Sequence, residues 1–207
     1  MNRVIFYTAT TLNGFLADEN NSLAWLFAVP ADSPPDLKEF LDTISVTVSG
    51  STTYEWVLRE EHMLEQPDRW TEFFGDRPGF VFTTRSLPAP EGIDVRFVSG
   101  QVADALPQIR AAAGDKDIWL VGGGDLAGQF FDAGALDELF VSIAPATLTG
   151  GAPLLPRNIG PDRLRLLEVR PDGQFVHLRY SVDSAQPGED EASPHEPGVQ
   201  EPSTVAE

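Results

Sequence analysis

Cysteine is missing from all 207 residues. Its absence excludes disulfides, thiol nucleophiles and cysteine-bound metals, and it fits a reducing cytoplasm. Basic side chains are scarce: 14 Lys and Arg stand against 32 Asp and Glu, a formal net charge of −18 at pH 7. So acidic a chain repels nucleic acid and anionic membrane surfaces, and neither is expected as a partner. Lysine occurs only as Lys38 and Lys116. A kinase-type phosphate loop, which needs Gly-Lys-Ser/Thr, is therefore excluded. His62, His177 and His195 show no metal-ligand spacing, and no G-x-S-x-G element exists, so no metal site and no hydrolase is expected. No apolar run approaches the roughly 20 residues of a membrane span. The first such run, Val4 to Tyr7, is too short for a secretory leader, so a cytoplasmic protein is expected.

What the chain does have is a glycine turn at an informative place. Ile118 to Val121 is a short apolar run of strand character, followed by Gly122, Gly123 and Gly124. Leu126, Phe130 and Phe131 then fall on one helical face. A strand, a glycine turn and a helix N-terminus aim unpaired N–H groups and the positive end of a helix dipole at one point. Glycines let an anion approach that backbone, and a phosphate or pyrophosphate is the natural occupant. Gly122-x-Gly124-x-x-Ala127 also fits the dinucleotide fingerprint G-x-G-x-x-G/A. It lies past the middle of the chain, however, and the next strand, Leu136 to Ile143, ends at Ser142 and Ala144 without the expected acid. A nucleotide is implied, in something other than the usual doubly wound domain. Asp125 reads as a first-turn acid of its helix, beside the phosphates, and not as a catalyst.

The rest of the chain alternates strands and helices. Arg3 to Thr10 predicts a central first strand. Thr11 to Leu26 mixes turn residues with large apolar ones and predicts a long functional loop, with a packed two-strand excursion as the alternative. Pro34-Pro35-Asp36 starts a helix with Leu37, Phe40 and Leu41 inward. Ser45 to Ser49 is a strand ending at Gly50, and Ser51-Thr52-Thr53-Tyr54 opens a helix that Thr52 or Thr53 could cap. Asp68 to Asp76 reads as irregular. Gly79 to Thr84 and Asp94 to Val98 read as strands, and Val102 to Ala113 as a helix. After a strand from Leu136 to Ala144, Leu164 to Val169 and Gln174 to Val182 form a hairpin turned at Pro171-Asp172-Gly173. The class is α/β: a mostly parallel mixed sheet with a C-terminal antiparallel hairpin. Gly50, Thr83 to Arg85, and Gly122 to Gly124 all fall at carboxyl ends of strands, where open α/β sheets bind ligands. One domain is expected over residues 1–182. Residues 183–207, rich in Pro, Gly, Ser and acids, predict a disordered tail. The seven acids from Asp183 onward leave −11 on the remainder.

With these pieces in order, the chain resembles the dihydrofolate reductase family. It is most similar to the branch containing the reductase domain of bacterial riboflavin biosynthesis. The resemblance covers Asn2 to Val182 and implies the three-layer fold of that family. Ala9, the Leu12-Asn13-Gly14 turn, Leu16 and Trp25 resemble the flexible loop over the nicotinamide. Gly50-Ser51-Thr52-Thr53 resembles the first phosphate turn, and Thr83-Thr84-Arg85 the strand end meeting the adenosine phosphate. Gly122-Gly123-Gly124-Asp125-Leu126 resembles the glycine turn. Gly150-Gly151-Ala152-Pro153-Leu154 is typical of the branch. The implied cofactor is NADPH. Ser51 stands where the family often has arginine, which weakens recognition of a 2′-phosphate and keeps NADH as the alternative unless Arg85 compensates. Asn13 stands where the branch usually has aspartate. The H-x-E and P-C-x-x-C elements of the zinc deaminase often fused to this domain are absent, so deamination is not expected.

The implied reaction is hydride transfer to a C=N or C=O bond of a small molecule, like reduction of 5-amino-6-(5-phosphoribosylamino)uracil. Such a reduction also needs a proton. Asp36, four before Phe40 on its helix, and Asp32 are the candidate donors, each with helix capping as the competing role. Trp25 is a candidate lid residue that could equally be core. Arg59, Arg69 and Arg77 are the basic residues near enough to meet a substrate phosphate, with surface exposure as their competing role. Dihydrofolate reduction and a non-catalytic nucleotide- or partner-binding role are the alternatives, and the family implies a homodimer.

Overall fold

The computed structural model describes residues 2–30 and 37–184. β-Branched and aromatic residues dominate Val4–Thr11, and this strand, β1, lies within the sheet with Val4 and Phe6 fully buried. Short β2 (Phe15–Ala17) and the single turn α1 (Ala24–Phe27) follow it. Next come α2 (Lys38–Thr43), β3 (Ile44–Gly50), α3 (Ser51–Glu60), α4 (Asp68–Phe74), β4 (Gly79–Phe82) and β5 (Val95–Val98). Then come α5 (Val102–Ala113), β6 (Asp117–Gly122), α6 (Gly124–Asp132), β7 (Glu138–Ala144), β8 (Ala152–Pro153), β9 (Leu164–Asp172) and β10 (Phe175–Val182).

Eight strands form one sheet in the order β5-β4-β3-β6-β1-β7-β10-β9. The first six run parallel, and β10 and β9 close the edge antiparallel. The expected α/β class and its C-terminal antiparallel hairpin are therefore present. Central strands of a parallel sheet are covered on both faces. On one face Val4, Phe6, Val46, Val48, Ile118 and Leu120 pack with Ile109 of α5 and Phe130 of α6. On the other, Tyr54 and Leu58 of α3 and Trp70 and Phe74 of α4 cover Val81. Helices, sheet and helices make three layers.

Two local expectations are corrected. Asp68 to Asp76, read as irregular, is largely helix: Trp70 and Phe74, four apart, bury one face of α4, while Phe73 between them stays exposed. The closing hairpin turns at Gly173–Gln174, not at Pro171-Asp172-Gly173, because Pro171 and Asp172 pair with Val176 and Phe175. Proline is tolerated there because β9 is the edge strand. A hydrogen bond between the Ser142 hydroxyl and Nδ1 of buried His177 (2.7 Å) ties β7 to β10. His177 is a packing residue, and among the described residues no group of three or more His, Cys, Asp or Glu could hold a metal ion. No helix among them is long and apolar enough to cross a membrane.

Candidate functional site

A cleft of about 630 Å³ opens at the carboxyl ends of β1, β3, β4 and β6. Its floor is built by two junctions. At one, β6 runs into Gly122, whose φ of 156° favours glycine, and then Gly123, the N-cap of α6; the peptide between the two is cis. At the other, β3 runs through Gly50 directly into α3. The junctions meet: a Cβ on Gly50 would stand 3.9 Å from the Gly122 oxygen and the Gly123 nitrogen. Neither helix has a side-chain cap bond. The sequence offers Thr52 or Thr53 as the cap, but the helix starts at Ser51, so both stand inside its first turn and line the cleft. Two sets of free helix N–H groups thus face one space. A Cβ on Gly123 would meet nothing closer than Thr53 Oγ1 at 3.9 Å, so the glycine leaves open room in front of the turn. Gly124 has a different reason to be small: a Cβ there would collide with the Pro153 and Leu154 carbonyl oxygens of the strap crossing α6.

One end of the cleft is apolar. Ala9, Leu16, Ala17, Leu23, Trp25 and Leu26 line it, with Thr8 and Asn21 as the uncharged polar side chains of the same strand and loop. The long loop that carries most of them resolves into β2, pinned antiparallel to β8, and the single turn α1. Asn13 fastens the loop. Its amide donates to the Leu148 carbonyl (2.7 Å) and its oxygen accepts from the Leu148 N–H (3.1 Å) and the Thr11 hydroxyl (2.9 Å). Further bonds run from Leu12 N–H to Ala146 O and from Leu154 N–H to Gly14 O. Phe27 of α1 stacks on Trp56 of α3, with ring centres 6.2 Å apart and planes 9° from parallel. Trp25 is half-buried in the cleft wall, and its indole N–H has no hydrogen-bond partner among the described residues. The opposite end is polar, with Thr83, Thr84 and Ser99 hydroxyls and Gly100 beyond Phe82.

Charge in the cleft is sparse. Asp125 is the one ionisable side chain among the described lining residues. It sits in the first turn of α6, as expected, and is 70% exposed. Arg157 (3.3 Å) and Gln129 (2.9 Å) contact its carboxylate, and Arg157 also pairs with Asp132 at 2.8 Å, so the acid is offset locally. Arg85 lies outside the lining: its guanidinium grips both carboxylate oxygens of Glu55 on α3.

Of the residues singled out from sequence, the structure brings together Ala9, Leu16, Trp25, Gly50, Ser51, Thr52, Thr53, Thr83, Thr84, Gly122, Gly123, Gly124, Asp125 and Leu126. It leaves Arg85 at the rim. Asp32 and Asp36 lie outside the described residues. Arg59 and Arg69 pair with Glu60 and Glu61, and Arg77 donates to the Ile44, Phe74 and Leu41 carbonyls. Sequence reasoning missed Trp56, Ser99, Gly100 and Gln129. Trp56 and Gln129 could have been found one helical turn beyond the two junctions.

The RibD C-terminal domain family model matches residues 2–178. The uncharacterized protein YwjB of Bacillus subtilis is 26% identical over 178 residues, covering 86% of this chain and 97% of its own. A putative riboflavin biosynthesis protein from Shewanella sp. PV-4 superposes with a TM-score of 0.69 at 23% identity, over 88% of this chain and 99% of its own. Dihydrofolate reductase from Enterococcus faecalis, in complex with NADP(H), superposes with a TM-score of 0.56 at 18% identity, over 87% of this chain and 96% of its own.

Proposed function

Because the chain belongs to the RibD C-terminal domain family, we propose that it is a nicotinamide-dependent reductase acting on a C=N or C=O bond of a small molecule. The observation that carries this reading is the meeting of two glycine-led helix N-termini at the carboxyl ends of adjacent parallel strands. The residues fit a dinucleotide. Backbone N–H groups of α3 and α6 and the hydroxyls of Ser51, Thr52 and Thr53 would hold its pyrophosphate. Thr83, Thr84 and Ser99 would face the adenosine half. The apolar end under Leu16 and Trp25 would take the nicotinamide and keep water from it. A reduced nicotinamide supplies hydride there; the chain supplies position and exclusion of water.

Reduction of 5-amino-6-(5-phosphoribosylamino)uracil is the reaction type that the family suggests. The hydride-transfer end of that chemistry suits the apolar end of the cleft. Its phosphoribosyl end finds no basic side chain there, since none of the chain's Lys or Arg lines the cleft. A non-catalytic nucleotide-binding role is the second reading. It is favoured by the apolar end itself, where no described side chain can donate a proton to substrate as an acid.

The first test is a fluorescence titration with NADH and NADPH on the wild type and on Gly123→Val. At φ −88° and ψ −177° a valine suits the backbone, and it fills the open room before the turn. Binding is expected in the wild type, with a loss of about tenfold or more in the variant, and a thermal melt of the variant separates lost binding from lost folding. No binding of either nucleotide to the wild type would end the nucleotide reading. Binding without oxidation across a panel of carbonyl and imine substrates would favour the non-catalytic one.

A further inference from the structure

An enzyme that selects NADPH must recognise a phosphate ester on the adenosine ribose, and it does so with a cation, usually an arginine. An enzyme that selects NADH presents instead an acceptor for the free 2′-hydroxyl, usually a carboxylate. All 14 Lys and Arg of this chain lie among the described residues, and none lines the cleft. At the adenosine end the lining is hydroxyl and glycine: Thr83, Thr84, Ser99 and Gly100. The nearest cation in sequence is Arg85. Its backbone N–H donates to Thr83 Oγ1 (3.0 Å), which anchors it at the rim. Its side chain is outside the lining and forked onto Glu55, one N–H···O contact at 3.0 Å and one shorter.

Resting on the nucleotide reading above, we infer that Glu55 is a selectivity residue that cancels Arg85 as a 2′-phosphate site, so that the cleft takes NADH at least as well as NADPH. The pair is bidentate, which favours its planar geometry. A 2′-phosphate entering beside Thr84 would have to compete with Glu55 for the guanidinium, and would also meet the Glu55 carboxylate as a like charge. The 2′-hydroxyl of NADH faces neither cost. Both side chains are partly exposed, Arg85 at 54% and Glu55 at 37%, so screening makes the effect moderate.

Titrations of wild type, Glu55→Gln, and Glu55→Gln combined with Arg85→Gln, each with NADH and NADPH, test the inference. Wild type should bind NADH with an affinity equal to or above that for NADPH. Glu55→Gln should tighten NADPH by about fivefold while leaving NADH within about twofold, and adding Arg85→Gln should remove the gain. A tenfold or greater wild-type preference for NADPH overturns the inference, as does a Glu55→Gln variant with unchanged NADPH affinity. Those results leave nucleotide binding intact. Failure of both nucleotides to bind wild type would instead remove the reading beneath it. Thermal melts of the variants exclude misfolding as the cause.

Discussion

Asn13 shows how one side chain decides a loop. Its amide is used in both senses, donating to the Leu148 carbonyl and accepting from the Leu148 N–H. Aspartate, which the related branch usually carries here, could keep the second bond but would set a carboxylate against the Leu148 oxygen. The asparagine is therefore a strap between the loop at 11–17 and the segment at 144–154, and not a weakened acid. Asn13→Asp is expected to cost about 1 kcal/mol in urea unfolding, since the bonds are exposed, and to loosen the loop toward proteolysis. Equal stability of the two forms would remove the strap role. From the sequence, Asn13 was legible only as a departure, because its partner Leu148 is 135 residues away. The glycine turn was legible because everything that makes it a site is local: three glycines, a preceding apolar run and a following helix. Arg85 was half legible. Its position at a strand end could be read, but Glu55 lies 30 residues away and two helices back.

At the level of elements, periodicity foretold the alternation of strands and helices and so the sheet. It failed where the signal was short. In α4 only Trp70 and Phe74 are buried, and one buried pair four apart beside the exposed Phe73 also suits a loop. The loop over the apolar end became β2 and α1 because β8 supplies β2 with a pairing partner far along the chain. The α3 element carries a testable consequence. It fixes the phosphate turn at its N-terminus and is held to the sheet by Tyr54, which is 1% exposed and donates to the Pro88 carbonyl at 2.7 Å. Burial pushes the Tyr54 phenol up from 10.0 to about 12. The folded state thus keeps the phenol neutral while the unfolded chain ionises it. That contribution to stability is complete below pH 10 and is lost as pH rises toward about 12. Tyr54→Phe should cost about 1 kcal/mol at pH 7 through the lost bond. Its melting temperature should then fall less steeply than that of wild type between pH 10 and 12. Parallel curves would place the alkaline loss elsewhere.

The whole molecule sets a constraint that no single residue shows. A chain of formal charge −18 is proposed to bind an anionic dinucleotide in a cleft without a cation. The two facts are compatible because they act over different distances. Helix N–H groups and hydroxyls act at hydrogen-bond range and lose little to salt. Repulsion from the acidic body acts over a Debye length, about 30 Å at 0.01 M salt and about 8 Å at 0.15 M. Salt should therefore strengthen binding here, whereas it weakens binding at sites that hold phosphates with lysine and arginine. Between 0.01 M and 0.15 M NaCl the NADH dissociation constant is expected to fall by about two- to fivefold, mostly through a faster association rate. NADPH, with its additional charge, should show the larger change in wild type. In Glu55→Gln, where Arg85 is free to pair with the 2′-phosphate, that dependence should flatten or reverse. A wild-type affinity that falls with salt for both nucleotides would mean that a cation reaches the phosphates after all, and Arg85 is the side chain to suspect.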